Sequence, residues 1–199
     1  MALPGGTAKT KTVLINGMEL DGTSVKILTL QNFDPQNIDL QIFPIKGGPP
    51  HCPANWTSIN TECYKILIGD LNWFEAKAQC EGMDSHLVDF ESKEEHEAVL
   101  EEALKMEGIG GNNVGLWIGM TDSAEEGTWV WTSGKPVTYT AWSSGEPNND
   151  GGGEAENCAW MYAYQPSGGR LPGQWNDGRC HSGGADSGAI CKRAAVAQL

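Results

Sequence analysis

The chain has 199 residues and carries 13 Lys and Arg against 26 Asp and Glu, a formal net charge of −13 at pH 7. This length is enough for one domain of ordinary size and a small additional module, but not for two full domains. The acidic excess argues against nucleic acid and anionic membranes as partners and favours cations or neutral ligands. The sequence also has no apolar run long enough for a transmembrane helix, so we expect no membrane insertion.

The first 46 residues form a β-rich segment without cysteine or tryptophan. Short β-like runs lie at 12–15, 25–30 and 38–42, and the turn sequences Asn16-Gly17 and Asp21-Gly22 separate the first two. A segment this small cannot form a stable core alone. It therefore packs on the main domain, pairs with another copy as an oligomerisation module, or is a partly ordered extension.

The main domain is predicted over 52–193, after a linker at 47–51 that is rich in glycine and proline, and before a tail at 194–199. Residues 71–79 are predicted to be a helix, and Ser92-Lys93-Glu94-Glu95 is a capping box that opens a second one.

The second helix carries an apolar stripe that we expect to pack in the core, formed by Val99, Leu100, Ala103, Leu104 and Met106. Short tryptophan-rich runs beyond Gly108 predict strands joined by long loops. Two helices followed by strands make the fold class α+β.

All six cysteines lie between Cys52 and Cys191, and this even number favours an oxidising, extracellular compartment. The first residues lack the features of a signal peptide, so we expect a secreted protein whose leader is absent from this chain. Six cysteines allow 15 pairings, among which the sequence alone does not choose. A cysteine-ligated zinc site would need closely spaced C-x-x-C pairs, which do not occur here.

The main domain contains a series of cysteines and short motifs. In chain order they are Cys52-Pro53-Ala54-Asn55-Trp56, Cys63-Tyr64, Cys80 at a helix end, Trp117-Ile118-Gly119-Met120, Glu146-Pro147-Asn148, Cys158, Trp175-Asn176-Asp177, Cys180 and Cys191. This order resembles the long form of the calcium-dependent C-type lectin domain family. The resemblance implies two helices with small antiparallel sheets and long calcium-binding loops. It also implies three disulfides, Cys52 with Cys63, Cys80 with Cys191, and Cys158 with Cys180.

Calcium prefers 6–8 oxygen ligands from carboxylates, amides and carbonyls. Glu146 and Asn148 flank Pro147, and in an extended segment their side chains point to the same side. The resemblance implies that the Glu146–Pro147 bond is cis. It also completes a main ion site whose five ligands are Glu146, Asn148, Glu156, Asn176 and Asp177.

The stretch 149–155 is longer and richer in glycine than the family pattern, so Glu154 competes with Glu156 as the ligand. The family's Glu-Pro-Asn order implies mannose-type sugars, namely mannose, fucose, glucose or N-acetylglucosamine, whose hydroxyls coordinate Ca²⁺ directly. The expected sugar contacts are Glu146, Asn148, Glu156 and Asn176, which combine hydrogen-bond acceptors with amide donors.

An auxiliary calcium site is implied at Asp122, Glu126, Asn149 and Asn157. The simpler interpretation of Asp122 and Glu126 is that they are solvated loop acids.

A second insertion, over 162–173, places Tyr162, Tyr164 and Arg170 near the expected binding face. The tyrosines could stack on a sugar ring and Arg170 could reach an acidic substituent, although a solvated loop is the simpler interpretation.

We expect no enzyme activity, because the sequence holds no catalytic constellation: its four histidines form no metal-ligand motif. The alternative to a lectin is a calcium-dependent module on the same fold that binds a protein or a surface.

Overall fold

The computed structural model describes residues 11–13, 27–30, 41–43, 50–106, 115–164, 170–183 and 187–196. The chain divides into two units, Met1–His51 with Val196–Leu199, and Cys52–Ala195. In the first unit β1 (Lys11–Val13), β2 (Ile27–Leu30) and β3 (Gln41–Phe43) form an antiparallel sheet in that order. These strands overlap the three β-like runs, whereas the turn sequences predicted between β1 and β2 lie outside the described residues.

The two helices of the second unit are α1 (Trp73–Glu81) and α2 (Lys93–Leu104). Helix α1 begins two residues later than predicted because Asn72 is its N-cap and exchanges hydrogen bonds with Glu75 in a capping box. At α2 only half of the predicted box forms. The Ser92 hydroxyl accepts from the Glu95 backbone N–H at 3.2 Å, but the Glu95 carboxylate accepts from the Glu91 N–H and the Tyr64 hydroxyl instead.

The apolar stripe of α2 packs in the core along only part of its length. Val99 and Ala103 are fully buried, and Leu100 packs against them at the core's edge. The prediction is wrong for Leu104 and Met106, which are 40% and 37% exposed. Met106 lies beyond the end of α2, so the helical spacing does not apply to it, and Leu104 is the last residue of the helix, at its exposed end.

The second unit contains a mixed eight-stranded sheet with the path β10-β9-β7-β11-β5-β4, from which β6 pairs with β11 and β8 with β7. The single parallel pair, β7 with β11, joins what would otherwise be separate antiparallel sheets. The strands are β4 (Thr57–Ile59), β5 (Glu62–Ile68), β6 (His86–Leu87), β7 (Gly115–Thr121), β8 (Val130–Trp131), β9 (Cys158–Tyr162), β10 (Trp175–Gly178) and β11 (Ser187–Ala194). The α+β class is confirmed.

The three disulfides are those that the resemblance implied, and each braces a different part of the domain. Cys52–Cys63 closes the N-terminal hairpin, Cys80–Cys191 joins α1 to β11, and Cys158–Cys180 joins β9 to the end of β10. The Cys80–Cys191 bridge spans 111 residues, for which the chain-entropy model gives a stabilisation of about 4.7 kcal/mol.

Lys192 of β11 is 1% exposed and lies within a buried ion-pair network. Its ammonium donates to Asp89 Oδ1 at 2.7 Å and to Glu95 Oε1 at 2.5 Å, and Asp89 is itself buried. These bonds connect the last strand to the start of α2. A buried lysine is retained only with such partners, because an unpaired charge would be costly to desolvate.

His96 of α2 is a second buried polar group, 4% exposed, with its ring against Phe90 and Trp175. Nδ1 lies 2.9 Å from the Tyr139 hydroxyl, and Nε2 accepts from the Trp175 indole at 3.4 Å. Burial lowers the pKa of His96 to about 4. The imidazole is therefore neutral in the folded domain at neutral pH.

Acid should destabilise the domain through His96. The unfolded chain binds a proton at this residue below about pH 6.5, while the folded domain binds it only near its lowered pKa, so stability falls as the pH falls between these values. We expect a loss of about 2 kcal/mol between about pH 7.5 and pH 5. Urea unfolding in chelator should show this loss in the wild type and in Tyr139→Phe, but not in His96→Gln. An equal pH dependence in all three proteins would contradict the assignment.

Candidate functional site

Strand β10 places two predicted ligands directly beside the core. Trp175 is fully buried and contacts Phe90 and His96, which fixes the strand in place. Asn176 and Asp177 follow it in the same strand, paired with Trp160 and Ala159 of β9. Asn176 is partly exposed, whereas Asp177 is 1% exposed. Because the backbone is held by the sheet, these two side chains have little freedom to move away.

The Asp177 carboxylate holds the loop that carries the Glu-Pro-Asn motif. Its Oδ2 accepts from the backbone N–H groups of Asn148 at 3.0 Å and Asn149 at 2.7 Å. Its Oδ1 is buried and has no hydrogen-bond partner among the described residues. The Glu146–Pro147 peptide bond is cis, as the resemblance implied. Asp177 therefore brings the two distant motifs together while one carboxylate oxygen remains available.

Glu146 is also buried, with 2% of its side chain exposed. Its Oε1 accepts from the Arg170 guanidinium at 3.0 Å, and its Oε2 is a second buried oxygen without a partner in the described part of the chain. Burial raises the pKa of Glu146, and the neighbouring charge of Asp177 raises it further, while Arg170 opposes this shift. The two carboxylates are close enough to repel each other.

The structure distinguishes between Glu154 and Glu156. Burial raises the pKa of Glu156, as do the charges of Asp177 and Glu146, so its carboxyl group lies within their electrostatic reach. Its backbone N–H donates to Asn149 Oδ1 at 2.7 Å. The Glu154 side chain is 74% exposed and lies 3.6 Å from an Arg179 guanidinium nitrogen. Of the two acids, Glu156 is therefore the one whose carboxyl group interacts electrostatically with Glu146 and Asp177.

The two amide ligands have local hydrogen bonds. Asn148 Oδ1 accepts from the Asp150 N–H at 2.7 Å, and Asn176 Nδ2 donates to the Asp177 carbonyl at 2.6 Å. The Tyr162 hydroxyl lies 3.4 Å from Asn176 Oδ1. Asn148 is connected to the Asp177 carboxylate through its backbone N–H, and Asn176 lines the same cleft as Glu156 and Asp177.

No three His, Cys, Asp or Glu side chains converge as a metal-binding group within the ranges that the structure describes. The fit to Ca²⁺ therefore depends on a mixed set of ligands. Buried carboxylate oxygens without partners are unfavourable unless a cation or a donor satisfies them, and Glu146 and Asp177 each have one. Amide oxygens from Asn148 and Asn176 are the hard ligands that Ca²⁺ accepts beside carboxylates. The residues present suit a calcium ion.

At the predicted auxiliary site, Asp122 is not a solvated loop acid, because it is 2% exposed. Its Oδ2 accepts from the Gly127 N–H at 2.8 Å, and its backbone N–H donates to the Asn157 carbonyl at 3.3 Å. Asp122 Oδ1 and Asn157 Oδ1 are both buried without a partner in the described residues. Asn149 bonds to Glu156, and Glu126 is exposed. Asp122 and Asn157 are therefore connected through their backbones, and each has one buried side-chain oxygen without a described partner.

The 162–173 insertion differs from a solvated loop at its start. Tyr162 ends strand β9 and is 3% exposed, so its ring is not free to stack on a sugar. The Arg170 guanidinium lies over this ring, 5.8 Å from the centroid, while it pairs with Glu146. Residues 165–169 lie outside the described ranges. The sequence offered Arg170 as a possible ligand contact but gave no sign that it would pair with Glu146.

Comparison with known proteins agrees with this architecture. The family model described as "Lectin C-type domain" matches residues 69–193, which is more than half of the chain. The mouse (Mus musculus) low affinity immunoglobulin epsilon Fc receptor is 35% identical over 131 residues, which cover 66% of this chain but 34% of the receptor. This chain thus spans about a third of that relative's length.

Two solved structures resemble the fold. The cow C-type carbohydrate-recognition domain of CD23, crystallised in the presence of a GlcNAc2Man3 oligosaccharide, has a TM-score of 0.61 and 31% identity, over 74% of this chain and 99% of that one. A calcium-independent type II antifreeze protein has a TM-score of 0.60 and 27% identity, over 74% of this chain and 98% of that one.

The chain therefore belongs to the C-type lectin domain family. C-type lectin domains are not enzymes, so the expectation of no enzyme activity is confirmed for this domain, and its lectin relatives support carbohydrate binding as its general function. In the described residues neither helix is long and apolar enough to cross a membrane.

The two hydrogen bonds that Asp177 accepts should stabilise the domain even when the side chain carries no charge. Asp177→Asn keeps one acceptor oxygen for the Asn148 and Asn149 N–H groups, whereas Asp177→Ala leaves both donors unpaired. In chelator, urea unfolding should show Asp177→Ala destabilised by about 1–3 kcal/mol relative to Asp177→Asn. Equal stability of the two variants would show that the loop does not depend on this carboxylate.

Proposed function

We propose that the domain binds Ca²⁺ through the oxygens around Asp177, and that this ion binds mannose-type sugars through direct coordination of their hydroxyls. The observation that carries the proposal is the pair of buried carboxylate oxygens, Glu146 Oε2 and Asp177 Oδ1, neither of which has a partner in the part of the chain described. A divalent cation between them would give both oxygens a partner and would offset the repulsion between the two carboxylates.

The proposed ligands are Glu146, Asn148, Glu156, Asn176 and Asp177, with Glu156 preferred to Glu154 because it lies near the other acids. Three carboxylates around one divalent ion leave a net negative charge. Arg170, paired with Glu146, supplies a compensating positive charge at the edge of the site. Bound Ca²⁺ would supply open coordination positions for two sugar hydroxyls.

The mannose-type preference rests on the order of acceptor and donor around the ion. A hydroxyl that coordinates Ca²⁺ can also donate to the Glu146 or Glu156 carboxylate and accept from an amide of Asn148 or Asn176. Mannose, fucose, glucose and N-acetylglucosamine share the hydroxyl geometry that the Glu-Pro-Asn order implies. The oligosaccharide named with the cow CD23 domain contains mannose, which is consistent with this class of ligand.

We further propose an auxiliary Ca²⁺ at Asp122 and Asn157, supported by their buried oxygens without described partners, with Asn149 and Glu126 as further ligands. The three disulfides favour an extracellular location. Residues 1–46 are our proposed oligomerisation module. The three-stranded sheet in this segment supports the proposal, because weak single-site sugar binding gains from the multivalency of an oligomer.

The proposal predicts calcium-dependent retention on mannose. The wild type should bind mannose resin in Ca²⁺ and elute with chelator, because the hydroxyls are held through the ion, and it should pass through galactose resin. Asp177→Asn, which removes a ligand charge, should not be retained, whereas the exposed Glu154→Gln should behave as the wild type does. Passage through mannose, fucose and N-acetylglucosamine resins alike would refute the lectin proposal and favour a protein- or surface-binding role.

Arg170 should weaken Ca²⁺ binding, because its positive charge lies beside a proposed ligand. Arg170→Gln is expected to raise calcium affinity by about threefold or more at low salt, and the gain should shrink as salt screens the charge. Calorimetric Ca²⁺ titrations at low and high salt test this, with Lys105→Gln on the exposed end of α2 as the control. A fall in affinity in Arg170→Gln would instead mean that Arg170 positions Glu146 for the ion.

A further inference from the structure

A cleft of about 690 Å³ lies beside the proposed ion site. One part of its lining belongs to that site, namely Glu156, Asn176 and Asp177. The other part is formed by Trp160 and by residues of the neighbouring strands. Its volume is in the range of sites that bind small organic ligands. The cleft is therefore continuous with the proposed site and extends from it to Trp160 and the neighbouring strands.

Two glycines let the Trp160 indole lie close to the backbone of the strands on either side. Trp160 of β9 is paired with Trp117 of β7 and with Asn176 of β10. Gly115 lies two residues before Trp117 and Gly178 two residues after Asn176, so both glycines are on the same face as Trp160. A Cβ at Gly115 would lie 2.7 Å from the Trp160 ring, and one at Gly178 would lie 3.0 Å from its Nε1. Side chains at both positions would displace the ring, so the glycines keep this strand surface open.

The exposure of Trp160 leaves part of the ring available to a ligand. The residue is partly exposed and lines the cleft, whereas the neighbouring Trp117 is 5% exposed and its indole donates to the Leu71 carbonyl at 2.8 Å. The Trp160 ring also meets Tyr162 edge to face, with centroids 4.5 Å apart. Trp160 is thus held in place by packing against the core, and its exposed part lines the cleft.

Polar groups complete the lining. Arg179 donates to the Gly151 carbonyl, lies 3.6 Å from the exposed Glu154 and is itself 40% exposed, so its guanidinium has donors to spare. Asp150 and Ser182 are exposed beside it. An aromatic surface with hydrogen-bonding groups around it matches a sugar ring, which has an apolar face of C–H groups and a rim of hydroxyls.

We propose that this cleft is a subsite for the next residues of an oligosaccharide whose terminal sugar coordinates the ion, with Trp160 stacking on a sugar ring and Arg179 donating to its hydroxyls. The inference rests on the proposed function, because Glu156, Asn176 and Asp177 line both sites. It adds that the domain selects oligosaccharides over single sugars.

The test compares one sugar with several on the full chain. Calorimetry in Ca²⁺ should give a Kd for linear mannotriose that is about fivefold to tenfold lower than for methyl α-mannoside, a gain of about 1–1.4 kcal/mol. Trp160→Leu should bring this ratio to about one and leave the methyl mannoside Kd within about twofold. The matched control, Trp56→Leu, removes a partly exposed tryptophan outside the cleft lining and should keep the wild-type ratio.

A second variant covers the case in which Trp160→Leu fails to fold. Ser182→Trp adds bulk at the exposed rim, and it should abolish the gain for mannotriose while methyl mannoside still binds. Thr140→Trp, an exposed residue outside the cleft lining, is its control.

The outcomes separate the two proposals. If methyl mannoside, fucose, glucose and N-acetylglucosamine all fail to bind in Ca²⁺, the proposed function is wrong and the subsite with it. If a single sugar binds but its linear trisaccharide gains nothing, or the gain survives in both Trp160→Leu and Ser182→Trp, only the subsite is refuted.

Discussion

The binding region depends on the hydrogen bonds that the Asp177 carboxylate accepts. This carboxylate lies on a strand fixed by the core, yet it accepts hydrogen bonds from the backbone of the loop that carries Glu146 and Asn148. A long loop has many conformations, and ordering it costs entropy that its own few contacts do not offset. By anchoring the loop to the sheet, Asp177 transfers the rigidity of the core to the residues that would bind the ligand.

That rigidity comes from a small number of contacts around Trp175. Its ring packs against Phe90 and His96, so the strand carrying Asn176 and Asp177 cannot shift without disturbing the core. The Cys158–Cys180 disulfide braces the same pair of strands from the other side of the motif. The binding face thus lies on strands that are fixed by core packing and by a disulfide. A site that needs accurate placement of several oxygens is best supported on such rigid elements.

The negative charges on this face are partly offset by neighbouring arginines, although the chain as a whole has a net charge of −13. Glu146, Glu156 and Asp177 repel one another, and burial strengthens that repulsion because water no longer screens it. Arg170 pairs with Glu146, and Arg179 lies beside the loop that leads to Glu156. The two arginines flank a cluster of acids that still has buried oxygens to offer a cation. The same two arginines can therefore offset the repulsion among the acids and set how tightly a cation binds.

The family, the disulfide frame that it implies and the α+β class could all be predicted from the sequence, and so could the residue types of the proposed site. These follow from local signals, namely cysteine order, capping residues, apolar periodicity and the short Glu-Pro-Asn and Trp-Asn-Asp motifs. The tertiary structure alone showed that Glu156 rather than Glu154 lies near the other acids, that Asp122 is buried, and that Arg170 pairs with Glu146. It alone showed the cleft at Trp160, which arises because Gly115 and Gly178 come to lie beside that ring. Most of these findings concern contacts between residues that are distant in the chain. Such contacts depend on strand register and loop path, which no local sequence pattern specifies.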